Sequence, residues 1–215
     1  MLLQGPLFES IIAFLAVVLV CLPIHEFGHA WTAVKLGDSL PAQQGRVTLN
    51  PLKHVDWLGA ALLAVAGFGW AKPVQFNPYA LYKAPSMRTG VFVVASAGPI
   101  MNVLLAVAAA LPFRLGLVEL RDVLSGQAIA FILYVLISIN LLLAVFNLIP
   151  IPPLDGSKIL AMLLPGRYDS VMLTLSQYGP FILLLMIVPL FGGRSLIGLI
   201  ITPVVRALSQ VLLGL

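Results

Sequence analysis

The sequence predicts an α-helical polytopic membrane protein, with about five to six transmembrane helices, one short re-entrant or interfacial segment, and small β-strands or a hairpin beside it. Three observations predict this class. Of 215 residues, 60% are apolar and 9% charged, where soluble chains carry ~25% charged residues. Several apolar runs approach the ~20 residues a helix needs to cross a bilayer core ~30 Å thick. Six of the 12 basic residues (Lys35, Arg46, Lys53, Lys72, Lys83, Arg88) cluster between two of those runs, which sets an orientation by the positive-inside rule. The same composition excludes a disordered chain, and a single cysteine, Cys21, excludes a disulfide-rich secreted module. The net charge of +4 describes loop topology rather than an anion-binding surface, so no nucleic-acid partner is expected.

The first apolar run extends from about Leu7 to Lys35 and stays in the chain as a span. Residues 1–10 hold no Lys or Arg, and no small-residue cleavage site precedes a soluble domain. Pro23 removes a helix hydrogen bond and should bend this span. Next, residues 41–56 (PAQQGRVTLNPLKHVD) alternate at Arg46-Val47-Thr48-Leu49 before the Asn50-Pro51 turn signal, which makes a short strand plausible. Trp57 to Trp70 is apolar but only 14 residues long and contains Gly59, Gly67 and Gly69, too short to cross. With basic residues on both sides, it dips into the membrane or lies at its cytoplasmic interface. A second extended piece is expected at Lys72-Pro73-Val74-Gln75-Phe76.

Further spans run from about Thr89 to Phe113 and Gly126 to Leu148, then Leu175 to Phe191 and Ser195 to Leu213. The link at 114–125 carries Arg114 and Arg121 against Glu119 and Asp122, with no basic excess, and fits the outer side. Pro189 and Gly192-Gly193 interrupt the C-terminal region. No repeat and no PDZ or other soluble domain is expected. Residues 1–215 read as one membrane-embedded unit, with a core at about 7–160 and C-terminal helices at about 170–215.

Within the first span the chain reads His25-Glu26-Phe27-Gly28-His29, an HExxH pattern inside a membrane helix. Four residues apart, His25 and His29 leave one helix face one turn apart, where two imidazoles reach one Zn²⁺ at ~2.0–2.1 Å. Glu26 projects near the same point, so its carboxylate is the candidate general base of a hydrolase. In a chain with three His and three Glu, random placement gives HExxH with a probability on the order of 10⁻³. Three ionisable groups within five residues of a membrane helix cost several kcal/mol. A metal or a water-filled cavity would compensate; interhelical hydrogen bonding is the blander alternative.

Two histidines leave a catalytic zinc short of a third protein ligand. His54, beside Lys53 and Asp56, reads as an ordinary solvated loop residue. Glu9, Glu119 and Asp122 sit at outer ends of spans, whereas Asp155 follows the span ending near Leu148, in Asn147-Leu148-Ile149-Pro150-Ile151-Pro152-Pro153-Leu154-Asp155-Gly156. Asp155 is the better candidate, because the prolines break the helix and leave polar backbone for a site. Cys21, four residues before His25, reads as packing, although a thiolate would suit zinc. Gly98, Pro99 and Asn102 read as close helix packing around a glycine, with Asn102 bonding a freed carbonyl. Trp31, Trp57 and Trp70 suit interface anchors.

HEFGH and NLIPIPPLDG together resemble the site-2 protease family of intramembrane zinc metalloproteases, which carry HExxH on one membrane helix and NxxPxxPLDG near another. The resemblance extends to GRVTLNPLKHVD (45–56), GFGWAKPVQFNP (67–78) and SAGPIMN (96–102), and so covers most of residues 20–160. It implies one Zn²⁺ per chain held by His25, His29 and Asp155, Glu26 as base, Asn147 as a polar group assisting near the metal, and a supporting place for Asn102. The role of Asn147 stays open between an oxyanion donor and a substrate-orienting amide. Topology agrees independently: Asp155 emerges at the same membrane face as the histidines only if residues 57–70 do not cross.

The expected activity is hydrolysis of a peptide bond in a transmembrane protein near the cytoplasmic face of a prokaryotic plasma membrane, as in regulated intramembrane proteolysis. The alternative is a membrane metal carrier or sensor using the same ligands, which has no need of Glu26. The segments 46–49 and 72–76 stand either as an edge to which an extended substrate adds as a strand or as plain loops.

Overall fold

The first span folds as one rod in three pieces: α1 (Leu7–Ala16), a π-helical turn (Val17–Cys21) and α2 (Leu22–Lys35). The computed structural model describes residues 7–67, 69–165, 169–188 and 195–215. A widened turn lies immediately before Pro23, where the Leu22 N–H donates to Val17 O, five residues back. A proline has no N–H to contribute and its ring crowds the preceding turn, so a wider turn at this position relieves both problems.

After the four-residue α3 (Leu40–Gln43) comes α4 (Trp57–Ala66). Its ten residues rise ~15 Å, half a bilayer core. Asp56 caps its start by accepting from the Gly59 N–H, and Gly67 at φ 71° ends it in the left-handed region. Here Gly59 is obligatory, since a Cβ would lie 2.2 Å from Trp70 O. The short segment therefore folds back on itself rather than crossing. Trp57, Leu58, Val65 and Trp70 are exposed on it, as a segment resting in an interface needs.

The remaining elements are α5 (Met87–Arg114), α6 (Leu120–Leu124), α7 (Ala128–Asn147), α8 (Asp155–Leu163), α9 (Asp169–Ile187) and α10 (Leu196–Leu213). Among the described residues five helical stretches are long and apolar enough to span: Glu9–Lys35, Met87–Arg114, Ala128–Asn147, Ser170–Ile187 and Leu196–Leu213. The count settles at five in the range expected; Pro189 and the Gly192-Gly193 pair lie outside the described residues.

At the centre is α5, which packs on α2, α7 and α8. Its buried positions Gly98, Asn102, Ala106 and Ala109 recur at helical spacing, while Ile100, Leu104 and Leu111 are exposed on other faces. Small residues let helix backbones approach where lipid offers no hydrophobic drive for association. Ala106, Ala109 and Ala110 meet Ile137 and Leu141 of α7, and on the α2 side a Cβ on Gly28 would sit 2.9 Å from Ala97 O.

The expected strands are corrected. Among the described residues the only ladder contact is one antiparallel bridge between Val55 and Ala71, and Arg46–Leu49 is no strand. Side chains take the carbonyls a hairpin would use. Arg46 donates to the carbonyls of Lys53 and Lys72, and His54 Nε2 donates to Thr48 O at 2.7 Å. Asn50 then turns the chain by accepting from the Leu52 N–H at 3.1 Å. Residues 72–77 form no helix and no strand; Lys72 N–H donates to His54 O beside the Val55–Ala71 bridge, and no ladder continues beyond it among the described residues.

Candidate metal centre

His25 and His29 leave α2 toward α5, while Asp155 opens α8 after the proline-rich link has turned the chain back from α7. Three atoms converge: His25 Nε2 and His29 Nε2 lie 3.1 Å apart, and Asp155 Oδ2 lies 3.2 Å from the first and 3.0 Å from the second. All three residues are buried. A tetrahedral Zn²⁺ with bonds of ~2.0–2.1 Å places its ligand atoms ~3.3 Å apart, close to this triangle.

The outer nitrogens show why a cation fits. His29 Nδ1 lies 2.7 Å from Val94 O, a backbone carbonyl that only accepts, so that nitrogen carries the proton. His25 Nδ1 lies 2.6 Å from Asn102 Oδ1 and carries its proton for the same reason. In the neutral imidazoles both Nε2 atoms then present lone pairs to each other and to a carboxylate oxygen, an arrangement a divalent cation resolves. Asp155 Oδ2 supplies the third corner of that arrangement. Its other oxygen, Oδ1, accepts from Lys158 Nζ at 3.3 Å.

Two glycines make the approach possible. A Cβ on Gly98 would lie 2.4 Å from His29 Nε2 and 2.6 Å from His25 Cε1. On Gly156 it would lie 2.3 Å from Leu148 O and 2.5 Å from Ile149 O, so only glycine lets α8 start against the end of α7. Gly98→Ala is accordingly expected to push the two rings apart and abolish stoichiometric zinc binding. Overpacking of this kind costs about 1–3 kcal/mol, so helix content by circular dichroism should survive.

Glu26 is buried beside the triad, and its Oε2 accepts from the Val74 N–H at 3.0 Å. Arg46 Nη2 lies 3.9 Å from the same oxygen. Thus the segment after α4 is docked on the candidate base. Asp38 docks its far end, accepting from Asn77 N at 2.6 Å and from Leu40 N at 3.0 Å. Arg46→Lys replaces the fork whose two nitrogens each reach one carbonyl with a single nitrogen on a flexible stem. We expect it to loosen this loop by about 1.5–3 kcal/mol, the worth of one charged hydrogen bond, read as faster proteolysis between residues 44 and 76.

Of the residues singled out in the sequence, His25, His29 and Asp155 come together, with Glu26 next to His25 in the chain and buried. Asn147 does not touch the triad: half-buried near the end of α7, its amide donates to Leu143 O at 3.0 Å. His54 is corrected from a solvated loop residue to a core one, 1% exposed. Burial lowers its pKa below the ordinary imidazole value, with Arg46 adding to the effect and its bond to Thr48 O opposing. Cys21 packs as expected, against Ala13, Ala16, Val135 and Ile139. Asn102 bonds Cys21 O at 3.3 Å, but its stronger contacts are His25 and Asn140. Asp38, Arg46 as a loop tie and Asn140 went unread. Asn140 had a signal, since an amide in an apolar span is costly without a partner.

The sequence signature of peptidase family M50 matches residues 115–187. YwhC of Bacillus subtilis, named as a zinc metalloprotease, is 38% identical over 192 residues, covering 87% of this chain and 85% of the relative. Rip2 of Mycobacterium tuberculosis, also named as a zinc metalloprotease, is 32% identical over 180 residues, 81% of this chain and 66% of the relative. Rip2 of Mycolicibacterium smegmatis is 31% identical over 179 residues, 79% and 64% of the two chains. No solved structure matches the chain. Kinship at this identity over most of both chains, together with five apolar helices among the described residues and a zinc-sized triangle of candidate ligands, places the protein in peptidase family M50, the site-2 protease family, as a multi-pass membrane zinc metalloprotease.

Proposed function

We propose that this metalloprotease hydrolyses a peptide bond of a transmembrane protein near the cytoplasmic face of a prokaryotic plasma membrane, as a step of regulated intramembrane proteolysis. The whole chain acts as one membrane-embedded unit, with His25, His29 and Asp155 as zinc ligands and Glu26 as base. The observation that carries the reading is the convergence of three buried ligand atoms beside a buried carboxylate, at the end of the spans where the basic loops lie. Zn²⁺, when bound, polarises the scissile carbonyl and acidifies water.

The chain's own groups do the rest. With Oε2 held by the Val74 N–H, Glu26 keeps Oε1 for the water. It accepts a proton as the water oxygen bonds to the carbonyl carbon, and delivers it to the departing amine as the C–N bond breaks. A helical substrate hides its carbonyls in hydrogen bonds and has to unwind first. Segment 72–76, held beside Glu26 through the Val74 N–H, is the edge we assign to an unwound substrate strand. Asn147, at the end of α7, is the amide we assign to meet the substrate as it enters.

The alternative, a metal carrier or sensor, uses the ligands but leaves Glu26 idle. The test places the protein in vesicles with a single-span model substrate and maps the product ends by mass spectrometry. A cut inside the span at its cytoplasmic end supports the proposal. Zinc accumulating in the vesicle lumen without any cut would overturn it in favour of transport.

A further inference from the structure

We infer that Asn140 is a positioning residue for the metal centre: through Asn102 it sets which ring nitrogen of His25 carries the proton, and so keeps Nε2 available to the metal. The inference rests on the reading of His25 as a zinc ligand and extends it to a residue on a third helix that does not touch the site.

Two asparagines with no exposed surface, Asn102 on α5 and Asn140 on α7, link end to end behind His25. Asn140 Nδ2 donates to Leu136 O at 2.8 Å and to Cys21 Sγ at 3.2 Å. A backbone carbonyl can only accept, so that end of the Asn140 amide must be NH₂ and its Oδ1 must face the other way. There it accepts from Asn102 Nδ2 at 2.7 Å. The Asn102 amide also donates to Cys21 O at 3.3 Å, so both acceptors around it demand its NH₂. Its Oδ1 is then left for His25 Nδ1, at 2.6 Å.

An isolated amide can flip, but neither member of this row can without setting oxygen against oxygen in a buried site. Polarity therefore runs in one direction, from the Leu136 carbonyl to the His25 ring. His29 needs no such device, because Val94 O holds its Nδ1 directly. His25 lacks a carbonyl at that place and receives its acceptor at second hand. Metal-ligating histidines depend on the partner of their outer nitrogen, and losing it costs ~10–100-fold in affinity.

The test measures zinc affinity by competition with a metal buffer, together with ¹⁵N chemical shifts of the metal-free protein. Its three histidines keep the tautomer assignment tractable. His25→Ala first checks the reading beneath: zinc affinity equal to wild type would remove the ligand assignment and the relay with it. Asn140→Leu keeps the branching at Cγ but removes the acceptor facing Asn102. It is expected to weaken zinc by ~10-fold, the lower end for an outer partner because Cys21 O still favours the same amide orientation, and to shift one histidine toward the Nε2–H tautomer.

Asn140→Asp, uncharged when buried, can still accept from Asn102 and donate its O–H to Leu136 O, and should bind zinc as wild type does. Asn102→Asp combined with Asn140→Leu should bind more tightly than Asn140→Leu alone, since an acid at 102, unlike one at 140, faces the ring N–H of a metal-bound His25, which favours the carboxylate and lets either oxygen accept. The inference is overturned if Asn140→Leu leaves affinity and tautomer unchanged. Equal weakening by Asn140→Leu and Asn140→Asp, or no recovery in the double variant, would equally assign Asn140 to packing and overturn it.

Discussion

Glu26→Gln is expected to keep zinc near one per chain and to cut a single-span substrate ~10²–10⁴-fold more slowly than wild type, the range supplied by a positioned general base. The two properties separate because Glu26 is not one of the three converging ligand atoms, which belong to His25, His29 and Asp155. Glutamine keeps the shape and still offers a carbonyl oxygen to the Val74 N–H that now bonds Oε2. The loop should therefore stay docked, while the group facing the substrate can no longer accept a proton at neutral pH. Loss of the charge opposite Arg46, 3.9 Å away, is the one structural change, and thermal unfolding of the metal-free proteins measures it separately. Cleavage at the wild-type rate by Glu26→Gln would remove the base assignment and, if zinc crosses the membrane, favour the carrier.

Asp155→Ala is expected to lose both properties. It removes the only anionic ligand of the triangle, leaving two imidazole lone pairs 3.1 Å apart without the charge that draws a divalent cation to them. Zinc affinity should fall by more than the ~10–100-fold that follows loss of an outer partner, and cleavage should fall to background. The fold should survive, because α8 starts where Gly156 meets Leu148 O and Ile149 O, a contact made by backbone. Elemental analysis after dialysis, set beside circular dichroism, checks the prediction; full zinc occupancy in Asp155→Ala would move the third ligand elsewhere.

How far the site could be read before folding varies with how local each part is. HEFGH carries its geometry in its spacing, because a helix puts positions four apart on one face whatever surrounds it. Asp155 was accessible for a related reason: prolines ending an apolar span mark polar backbone at one membrane face, and counting crossings brings that face to the histidines. The strands at 46–49 and 72–76 failed because alternation describes a backbone ready to pair, while pairing depends on who takes the carbonyls. Arg46 and His54 took them, and a basic residue and a histidine in a polar loop look solvated until something covers them.

From its sequence alone this protein had its environment, a range of spans that contains the five found among the described residues, and the identity and spacing of the candidate site residues. Hydrophobic length and helical periodicity are properties of a single segment, and a bilayer enforces them without reference to other segments. Only tertiary structure decided what stands behind those residues. Gly98 under the two rings, Val94 O on His29, the Asn102–Asn140 row on His25 and the Val74 N–H on Glu26 join positions tens of residues apart. Such contacts depend on which helix faces which, and that follows from packing small residues together across several helices at once.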